Sequence, residues 1–363
     1  MKGFNQAWQK VRLGDIAEIK RGVRITKNEL DVFGKYPVVS GGVGFLGYTN
    51  NFNRYENTIT IAQYGTAGYV NFQKNKFWAN DICFCVYPNK DVIKNIFLYY
   101  FLKVNQNYLY EISNRNATPY SISKDKILDF EIPLPPLNEQ IAIANILSGL
   151  DHYLYTLDAL ILKKESVKKA LSFELLSQRK RLKGFNQAWQ RVRLGDICEI
   201  TTGSLDANEM VHYGKYRFYT CAKEYYFIDK YAFDTEAILI SGNGAYVGYV
   251  HYYKGKFNAY QRTYVLDNFS EHIIFVKYFL TMFLQSHIQT NKNEGNTPYI
   301  VMATLKDFEI LLPPLNEQIA IANILSGLDS EIISLKNKKR QFENIKKALN
   351  HDLMSAKIRV LKK

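Results

Sequence analysis

The segment LPPLNEQIAIANILSGLD, residues 134–151, returns without a single change at residues 312–329. A second segment, KGFNQAWQKVRLGDI at residues 2–16, returns at residues 183–197 with one lysine replaced by arginine. The long stretches between these repeats share little sequence. Internal repeats are read before any other pattern because they decide the fold. Constant frames around two different inserts predict one kind of task performed on two different targets.

The register of the repeats shows where the two halves differ in length. The unchanged segment is displaced by 178 positions (134 to 312), and VKKAL at 167–171 matches IKKAL at 345–349 with the same displacement. The other segment is displaced by 181 positions (2 to 183), so the first insert is three residues longer than the second. The two halves are therefore predicted to be related by a pseudo-two-fold axis, like an isologous dimer fused into one chain.

Each unchanged segment opens a long stretch of heptad spacing. After each Pro-Pro pair, which is tolerated in the first turn of a helix, apolar residues recur at steps of three and four, the pattern of a coiled-coil seam. The predicted seam consists of Ile143, Leu147, Leu150, Leu154, Leu157, Ile161 and Leu171 in one helix, and of Ile321, Leu325, Leu328, Ile332, Leu335, Phe342 and Leu349 in the other. Helices of about 40 residues would be ~60 Å long. We expect them to pack antiparallel on each other; the alternative is that each packs on its own domain.

The inserts have the composition of β-strands joined by turns. Runs such as NTITIAQYGTAGYVNF (57–72) and EAILISGNGAYVGYVHYY (236–253) combine Tyr, Phe, Val and Ile with Gly and Asn. Amphipathic helices are predicted at 96–104 and 274–284. The fold class is thus mixed α/β, with two mainly β domains that carry helices and are separated by a long antiparallel two-helix coiled coil. The predicted boundaries are 1–135 and 183–313 for the domains, and 136–182 and 314–363 for the helices.

Composition restricts the partners and the compartment. The formal net charge of +13 and the pI of about 9.3 favour a polyanionic partner. The four cysteines lack the spacing of a zinc site, and their small number is typical of reduced thiols in a cytosol. The sequence has no secretory leader and no run of the ~18–20 apolar residues that a membrane span needs. A soluble, cytoplasmic protein without metal or membrane contact is predicted.

Familiar catalytic motifs are missing from the sequence. It contains no GxxxxGK[ST] phosphate loop, no G-x-S-x-G elbow and no HExxH pair. The Pro-Pro pairs are flanked by leucine, so they cannot serve as the Asn/Asp-Pro-Pro-aromatic motif of a DNA base methyltransferase. A duplicated scaffold without a duplicated catalytic constellation indicates recognition, and no catalytic residue is predicted.

Basic, polar and aromatic residues interleave near the turns of both inserts. Lysine and arginine beside Gly and Asn turns can reach phosphates, whereas Asn, Gln, Arg and Ser can read base edges. The candidate DNA-binding residues are Lys20, Arg21, Arg24, Gly41, Gly42, Gln63, Tyr64, Thr66, Lys76 and Thr118 in the first insert, and Thr202, Ser204, Lys223, Asn243, Ala245, Tyr246, Lys256, Arg262, Asn296 and Thr297 in the second. The alternative for any one of them is a solvated surface group.

The chain resembles the specificity subunit of bacterial type I restriction–modification systems. The resemblance covers nearly the whole sequence and rests on WQKVRLGDIAEIKRG (8–22), on the GTAGYV and GAYVGYV turns, on the NATPYSIS and GNTPYIVM segments, and on LPPLNEQ before each long helix. All of these occur in order and in duplicate.

The resemblance implies a function for each part. Each insert would be a target-recognition domain that reads one half of a bipartite double-stranded DNA target, which should be asymmetric because the inserts differ. The helices would set the spacer between the half-sites. Two methyltransferase subunits would bind the constant scaffold, and endonuclease/translocase subunits would join them. The chain itself would hold no cofactor, because S-adenosylmethionine belongs to the methyltransferase partner.

Three alternatives remain open at this stage. The chain could be an orphan DNA-binding specificity protein without partners. It could also be a stand-alone DNA methyltransferase with an unrecognised motif, or a coiled-coil scaffold that binds no nucleic acid.

Overall fold

The computed structural model describes residues 8–116, 118–291 and 298–360 and divides into two compact units. Unit 1 comprises Met1–Asp158 and Asn337–Lys363, and unit 2 comprises Ala159–Lys336. Each unit contains one insert together with parts of both long helices. The chain is of the mixed α/β class, as predicted.

The elements of the first half follow one another with short connections. Its strands are β1 (Gln9–Arg12), β2 (Ala17–Arg21), β3 (Tyr36–Val39), β4 (Gly47–Thr49), β5 (Thr58–Ala62), β6 (Val70–Gln73), β7 (Trp78–Ala79), β8 (Cys83–Pro88) and β9 (Glu131–Leu134). Its helices are α1 (Leu13–Ile16), α2 (Asn95–Val104), α3 (Gln106–Glu111), α4 (Lys124–Leu128) and the 40-residue α5 (Leu137–Leu176), with a 3₁₀ turn at Lys27–Glu29.

The second half repeats this order with longer strands. Its strands are β10 (Gln190–Arg193), β11 (Glu199–Thr202), β12 (Tyr216–Tyr219), β13 (Tyr226–Ile228), β14 (Phe233–Ser241), β15 (Val250–Ala259), β16 (Thr263–Asp267) and β17 (Glu309–Leu312). Its helices are α6 (Ile273–Asn291), α7 (Met302–Lys306) and the 40-residue α8 (Leu315–Met354), with 3₁₀ turns at Leu194–Asp196 and Ala207–Glu209.

The two units build the same sheet with one difference in continuity. Unit 1 has a four-stranded sheet of order β2-β8-β5-β6 and a separate three-stranded sheet of order β4-β3-β7. Unit 2 joins the corresponding strands into one six-stranded sheet of order β11-β16-β14-β15-β12-β13. The ten-residue β15 takes the place of both β6 and β7, which residues 74–77 keep apart in unit 1.

The alternation of strand side chains produces two apolar layers in unit 2. Ile238 and Ile240 of β14 belong to the large core that α6 covers, whereas Leu239 belongs to a smaller cluster around Phe257. Successive side chains of a strand point to opposite faces of the sheet. The sheet of unit 2 is therefore packed against apolar side chains on both of its faces in this region. Unit 1 has the same arrangement, with Ile59 and Ile61 of β5 packed in the core that contains α2.

The long helices pack antiparallel within each unit. In unit 1, Asp151 of α5 pairs with Lys346 of α8, and Asp158 of α5 pairs with Lys339 of α8. The partner in α8 therefore moves towards the start of that helix as the position in α5 moves towards its end. In unit 2, Lys164 of α5 pairs with Glu331 of α8, and Lys168, four residues later in α5, pairs with the earlier Asp329 of α8, which is the same antiparallel direction. All fourteen predicted seam residues are buried or half-buried: Ile143, Leu147, Leu157, Ile161, Ile321, Leu325 and Ile332 are buried, and Leu150, Leu154, Leu171, Leu328, Leu335, Phe342 and Leu349 are half-buried.

A buried glutamate of the LPPLNEQ motif joins three segments of unit 1. The Glu139 side chain accepts hydrogen bonds from Arg359 Nε and Nη2 at 2.6 and 2.7 Å, and from the Trp8 indole at 3.3 Å. The constant N-terminal segment, the start of α5 and the segment after α8 therefore meet at one carboxylate.

Unit 2 repeats this contact with its own copies of the three residues. Arg181 Nε and Nη2 donate to Glu317 at 3.2 and 2.6 Å, and the Trp189 indole donates to the same carboxylate at 3.2 Å. The repeated segments are thus structural partners of each other, and the segment after each long helix docks on the unit in which the other long helix begins.

The glutamine of the same motif attaches the insert to the scaffold. Gln140 accepts a hydrogen bond from the Lys94 backbone N–H at 2.7 Å, just before α2 begins, and its amide donates to the Pro135 carbonyl at 2.8 Å. Gln318 makes the equivalent contacts with the His272 N–H, at 3.0 Å, and with the Pro313 carbonyl, at 2.8 Å. A free N–H at a helix start is satisfied in this way.

A tyrosine–aspartate–lysine triad fixes each insert helix against both long helices. Tyr278 of α6 donates to Asp329 of α8 at 2.6 Å, and Lys168 of α5 pairs with the same carboxylate. In unit 1 the corresponding triad consists of Tyr100, Asp151 and Lys346, with a tyrosine–aspartate distance of 2.6 Å. Burial raises the pKa of the Tyr278 hydroxyl, and the hydrogen bond to Asp329 adds to this.

Candidate nucleic-acid interface

The loops at one end of the unit 1 sheet are joined by main-chain hydrogen bonds. We call loop platform 1 the segments 20–25, 40–46, 63–66, 80–82 and 114–121 without residue 117. The bonds run from Gly22 N–H to Cys83, from Gln63 N–H to Ile82 and from Ile122 N–H to Gln63, at 3.0, 2.9 and 3.0 Å. Because main-chain atoms make these contacts, the side chains of the platform can vary.

Unit 2 has a loop platform with the same bonds. Loop platform 2 consists of the segments 202–206, 220–225, 242–248, 260–262 and 298–300. Its bonds run from Gly203 N–H to Thr263, from Gly242 N–H to Arg262 and from Ile300 N–H to Gly242, at 3.2, 2.8 and 2.9 Å. Each unit therefore presents one copy of the same main-chain framework.

Two equivalent glycines allow the strands to approach at the base of the platforms. A Cβ atom at Gly22 would lie 2.1 Å from the Asn80 carbonyl oxygen, and one at Gly203 would lie 1.9 Å from the Ala259 carbonyl oxygen. Neither distance is possible for real atoms, so only glycine fits at these positions.

Most of the predicted residues of the first insert lie on platform 1. Lys20, Arg21, Arg24, Gly42, Tyr64 and Thr118 are exposed there. Gln63 and Gly41 are buried, and Thr66 is half-buried, its hydroxyl donating to the Gly41 carbonyl at 2.7 Å. Gly41 thus acts through its backbone: a Cβ there would lie 2.2 Å from the Tyr64 carbonyl oxygen.

The second insert places its predicted residues in a similar way. Thr202, Ser204, Lys223, Ala245, Tyr246 and Arg262 are exposed on platform 2, and Asn243 is half-buried. Asn296 and Thr297 lie outside the described residues. The Lys223 ammonium lies 5.2 Å from the centre of the Tyr246 ring, within cation–π range.

Lys76 and Lys256 lie away from the platforms. Lys256 pairs in register with Asp234, seven positions before Ser241 along β14, which is roughly 23 Å at 3.3 Å per residue. Both lysines lie over aromatic rings: Lys76 lies 4.6 Å from the centre of the Phe52 ring, and Lys256 lies 4.6 Å from that of Tyr231. These contacts occupy the ammonium groups at the far ends of the strands.

Two arginines that the sequence did not single out are held by tyrosines. On platform 1, the exposed Arg115 lies 4.8 Å from the centre of the Tyr120 ring. In unit 2, Arg217 lies 4.2 Å from the Tyr225 ring and 4.5 Å from the Tyr253 ring. Each arginine also makes one hydrogen bond: Arg115 Nε donates to the Tyr110 carbonyl at 3.3 Å, and Arg217 Nη1 donates to the Tyr219 hydroxyl at 3.4 Å. The planar guanidinium has five donors, so others remain for a further partner. The available sequence signal was the interleaving of arginine with tyrosine near Asn-rich turns.

Neither a cluster of metal-ligating side chains nor a membrane-spanning helix is found in the part of the chain that the structure describes. No group of three or more His, Cys, Asp or Glu side chains within them is placed to hold a metal ion, and all four cysteines are free thiols. Within the same residues, no helix is both long enough and apolar enough to cross a membrane. Each unit thus carries one loop platform together with parts of both long helices.

Comparison with known proteins agrees with this architecture. Residues 5–164 and 186–344 each match the family model of the type I restriction modification DNA specificity domain. The chain is 38% identical over 170 residues to the EcoDI type I restriction enzyme specificity subunit of Escherichia coli. The aligned segment covers 46% of this chain and 37% of the E. coli subunit. It is 25% identical over 408 residues to the MjaVIII specificity subunit of Methanocaldococcus jannaschii, covering 97% and 93%.

A solved structure shows the same fold. The crystal structure of a type I restriction–modification S subunit from Mycoplasma genitalium superposes with a TM-score of 0.75 at 22% identity, over 98% of each chain. Because two family-model matches cover most of the sequence, the chain belongs to the specificity subunits of type I restriction–modification systems. It is a DNA-recognition component and has no catalytic role of its own, which confirms the expectation drawn from the repeats.

Proposed function

We propose that the chain reads a bipartite, asymmetric DNA sequence, one half-site per unit, and brings methyltransferase and restriction subunits to it. The observation that carries this proposal is the duplicated loop platform. The same main-chain bonds occur twice, but Gln63, Ile82 and Tyr120 of platform 1 correspond to Gly242, Arg262 and Pro298 of platform 2. Equal frameworks with unequal side chains suit one docking mode on two different base sequences.

Electrostatics supports a nucleic-acid partner for the platforms. The chain carries a net charge of +13, and Lys20, Arg21 and Arg24 are exposed together at the edge of platform 1. Such residues neutralise phosphates and release counterions, which makes binding strongly salt-dependent. The sequence is expected to be read by contacts to base edges, whereas phosphate contacts fix the register and orientation on the duplex.

The constant helices offer a surface for the partner subunits. Ile141 and Ile146 of α5 are 44% and 38% exposed, and their copies Ile319 and Ile324 of α8 are 36% and 37% exposed. The same two isoleucines are exposed in both copies of the unchanged segment, and this repetition supports a partner surface at the start of each long helix. We assign it to two methyltransferase subunits, which would supply S-adenosylmethionine, with the endonuclease/translocase subunits joining that complex. This chain itself would hold no cofactor.

Selection from a library of random duplexes tests the proposal. The purified chain should enrich two short, different half-sites at a fixed separation. Enrichment of one continuous site, of a palindrome, or of no sequence would contradict it. Arg24→Ala should weaken binding to all duplexes and reduce the slope of log affinity against log salt by about one. The matched control is Lys90→Ala, an exposed lysine of unit 1 that lies beyond the other end of β8.

A second experiment separates this function from a stand-alone methyltransferase. The purified chain is incubated with labelled S-adenosylmethionine and the selected duplex, with and without the methyltransferase subunits. Label should enter the DNA only when those subunits are present. Incorporation by the chain alone would contradict the proposal, and failure to bind the subunits would favour an orphan DNA-binding protein.

A further inference from the structure

Platform 1 contains an open groove of about 620 Å³ whose walls are largely apolar. Phe45, Leu46, Ile82 and Pro119 line it, together with the backbone of several glycines and with Tyr64. The inference drawn from this groove rests on the function proposed above, because it concerns what the groove contacts when DNA is bound.

Three polar groups around the groove are engaged in hydrogen bonds within unit 1. The Ser40 hydroxyl accepts a hydrogen bond from the Asn80 amide at 3.1 Å. The Thr66 hydroxyl donates to the Gly41 carbonyl at 2.7 Å, and the Gly65 N–H donates to the Tyr120 carbonyl at 3.0 Å. A ligand in the groove therefore meets carbon surface more than free donors and acceptors.

The same surface leaves apolar side chains in water. Val43 is 58% exposed, Phe45 is 50% exposed and Leu46 is 38% exposed, all within one short loop. Contiguous exposed apolar side chains indicate a contact surface. Arg115 stacks on Tyr120, the residue after the groove-lining Pro119, so a cation lies beside the apolar wall. An apolar surface next to a cation suits the edge of a base that lies close to a phosphate.

Among base edges in the major groove, the 5-methyl group of thymine is the apolar feature. The other groups presented there are hydrogen-bond donors and acceptors, and apolar side chains contact the thymine methyl group. We propose that the groove of platform 1 binds a thymine 5-methyl group, so that the half-site read by unit 1 contains at least one thymine recognised through its methyl. Phe45 is the residue that determines this specificity.

Platform 2 is built differently at the corresponding loop. Lys223 and Glu224 are charged and exposed, and the Ala222 carbonyl is bonded to the His251 ring at 2.9 Å. Burial lowers the pKa of His251, although the Ala222 carbonyl and the charge of Glu224 oppose this. The same loop also exposes Tyr225, which is 39% exposed and has Arg217 stacked on its ring. Because the charged Lys223 and Glu224 precede this tyrosine, we assign the methyl contact to unit 1, whose loop segment 43–46 is apolar.

Deoxyuridine substitution tests the contact because uracil lacks only the 5-methyl group. The duplex selected by the full chain is synthesised with each thymine in turn replaced by uracil, and each affinity is measured. Loss of one buried methyl should weaken binding about fourfold, which corresponds to ~0.8 kcal/mol. At that position, Phe45→Ala should bind the thymine and uracil duplexes with equal affinity.

The control variant is Phe33→Ala, which removes an exposed phenylalanine of unit 1 that does not line the groove. It should keep the fourfold preference for thymine. The thymine contact would be refuted if no uracil substitution weakens binding, or if the preference survives in Phe45→Ala, while two half-sites are still selected. Failure to select any sequence would instead refute the proposed function, and the thymine contact with it.

Discussion

At the scale of residues, one buried glutamate in each unit binds side chains from two other segments of that unit. The Glu139 side chain is 3% exposed and is matched by a guanidinium from residue 359 and an indole from residue 8. A buried charge is tolerated only when it is paired and hydrogen-bonded. The unchanged recurrence of this glutamate in both repeats therefore has a structural reason, which composition and heptad spacing alone do not reveal.

Removing the arginine partner should destabilise unit 1. Breaking a buried pair typically costs 3–5 kcal/mol. Because the Arg359 side chain is 34% exposed, water will partly replace it, and we expect Arg359→Ala to lower the free energy of unfolding by about 2–3 kcal/mol. Urea unfolding followed by tryptophan fluorescence measures this. Lys10→Ala, which removes an exposed ion pair with Glu131, should cost less than ~1 kcal/mol; equal losses for the two variants would disprove the role of burial.

The aspartate of the unit 2 triad should make stability depend on acid pH. Burial alone would raise the pKa of Asp329, but hydrogen bonds from Lys168 and Tyr278 outweigh it and hold the pKa below its usual range. The unfolded chain then binds more protons at acid pH. This contribution is complete above the ordinary carboxyl pKa of about 3.9 and is lost as the pH falls through the folded value.

Asp329→Asn should therefore be less stable than the unaltered chain at about pH 6, and the gap should narrow towards about pH 3. The free energy of unfolding of both proteins, measured across this range, checks the prediction. Asp229→Asn, at an exposed position of the same unit, serves as the control and should show a small gap. A gap for Asp329→Asn that stays constant with pH would contradict the assignment.

At the scale of elements, the two long helices were predictable because their pattern is local. Heptad spacing and a Pro-Pro start specify about 40 residues of helix, and α5 and α8 each have 40. The contrast between the sheets was not predictable. In unit 1, β6 pairs with β5 and β7 pairs with β3, in separate sheets; in unit 2 the single strand β15 pairs with both β14 and β12. These pairings join residues far apart in the sequence, so local patterns do not reveal them.

The platform residues were predicted in part for a similar reason. Arg24 and Tyr246 lie in loops that follow strands, but turn composition could not distinguish them from Lys76, whose ammonium lies over Phe52. Arg115 was missed because its stacking partner, Tyr120, is brought beside it by the fold.

Two neighbouring isoleucines of α8 test the seam directly. Ile332 is 6% exposed and Ile333 is 58% exposed. Ile332→Ala should lower the free energy of unfolding by about 2–4 kcal/mol, because it removes buried methyl groups and leaves a cavity. Ile333→Ala removes the same atoms at the same helix propensity cost and should change it by less than ~1 kcal/mol. If urea unfolding gave similar losses of unfolding free energy for the two variants, the seam residue Ile332 would not be buried as described.

At the scale of the whole molecule, recognition and scaffold should be separable. A chimera that takes residues 17–133 from another specificity subunit keeps Trp8, Glu139 and Arg359. We expect it to bind the same methyltransferase subunits and to change one half-site only. Methylome sequencing of cells that express the chimera with those subunits checks this, and exchange of the second insert is the matched control. Loss of partner binding, or changes in both half-sites, would count against separability.

The length of the helices should set the spacer of the target. Seven residues inserted after Asp158 and seven after Lys336 keep the heptad phase and lengthen the pair by roughly 10 Å. The spacer between half-sites should then grow by about three base pairs, since the duplex rises 3.4 Å per pair. The same library selection measures it. An insertion in α5 alone, which disrupts the seam, is the control; an unchanged spacer in the double insertion would refute the idea.

Unit 1 is made of two separate stretches of the chain, which the ribosome synthesises at different times. Unit 2 is one uninterrupted stretch, but unit 1 needs residues 337–360 to supply Leu353 and Met354 to its core and Arg359 to Glu139. About 180 residues separate the two parts, which a ribosome takes roughly 10 to 35 s to translate. During that interval the nascent first domain carries an uncovered apolar face and an unpaired carboxylate. Unit 2, although encoded later, can complete its fold first, and the growing chain is most exposed to chaperones and proteases while its first domain waits for its last helix.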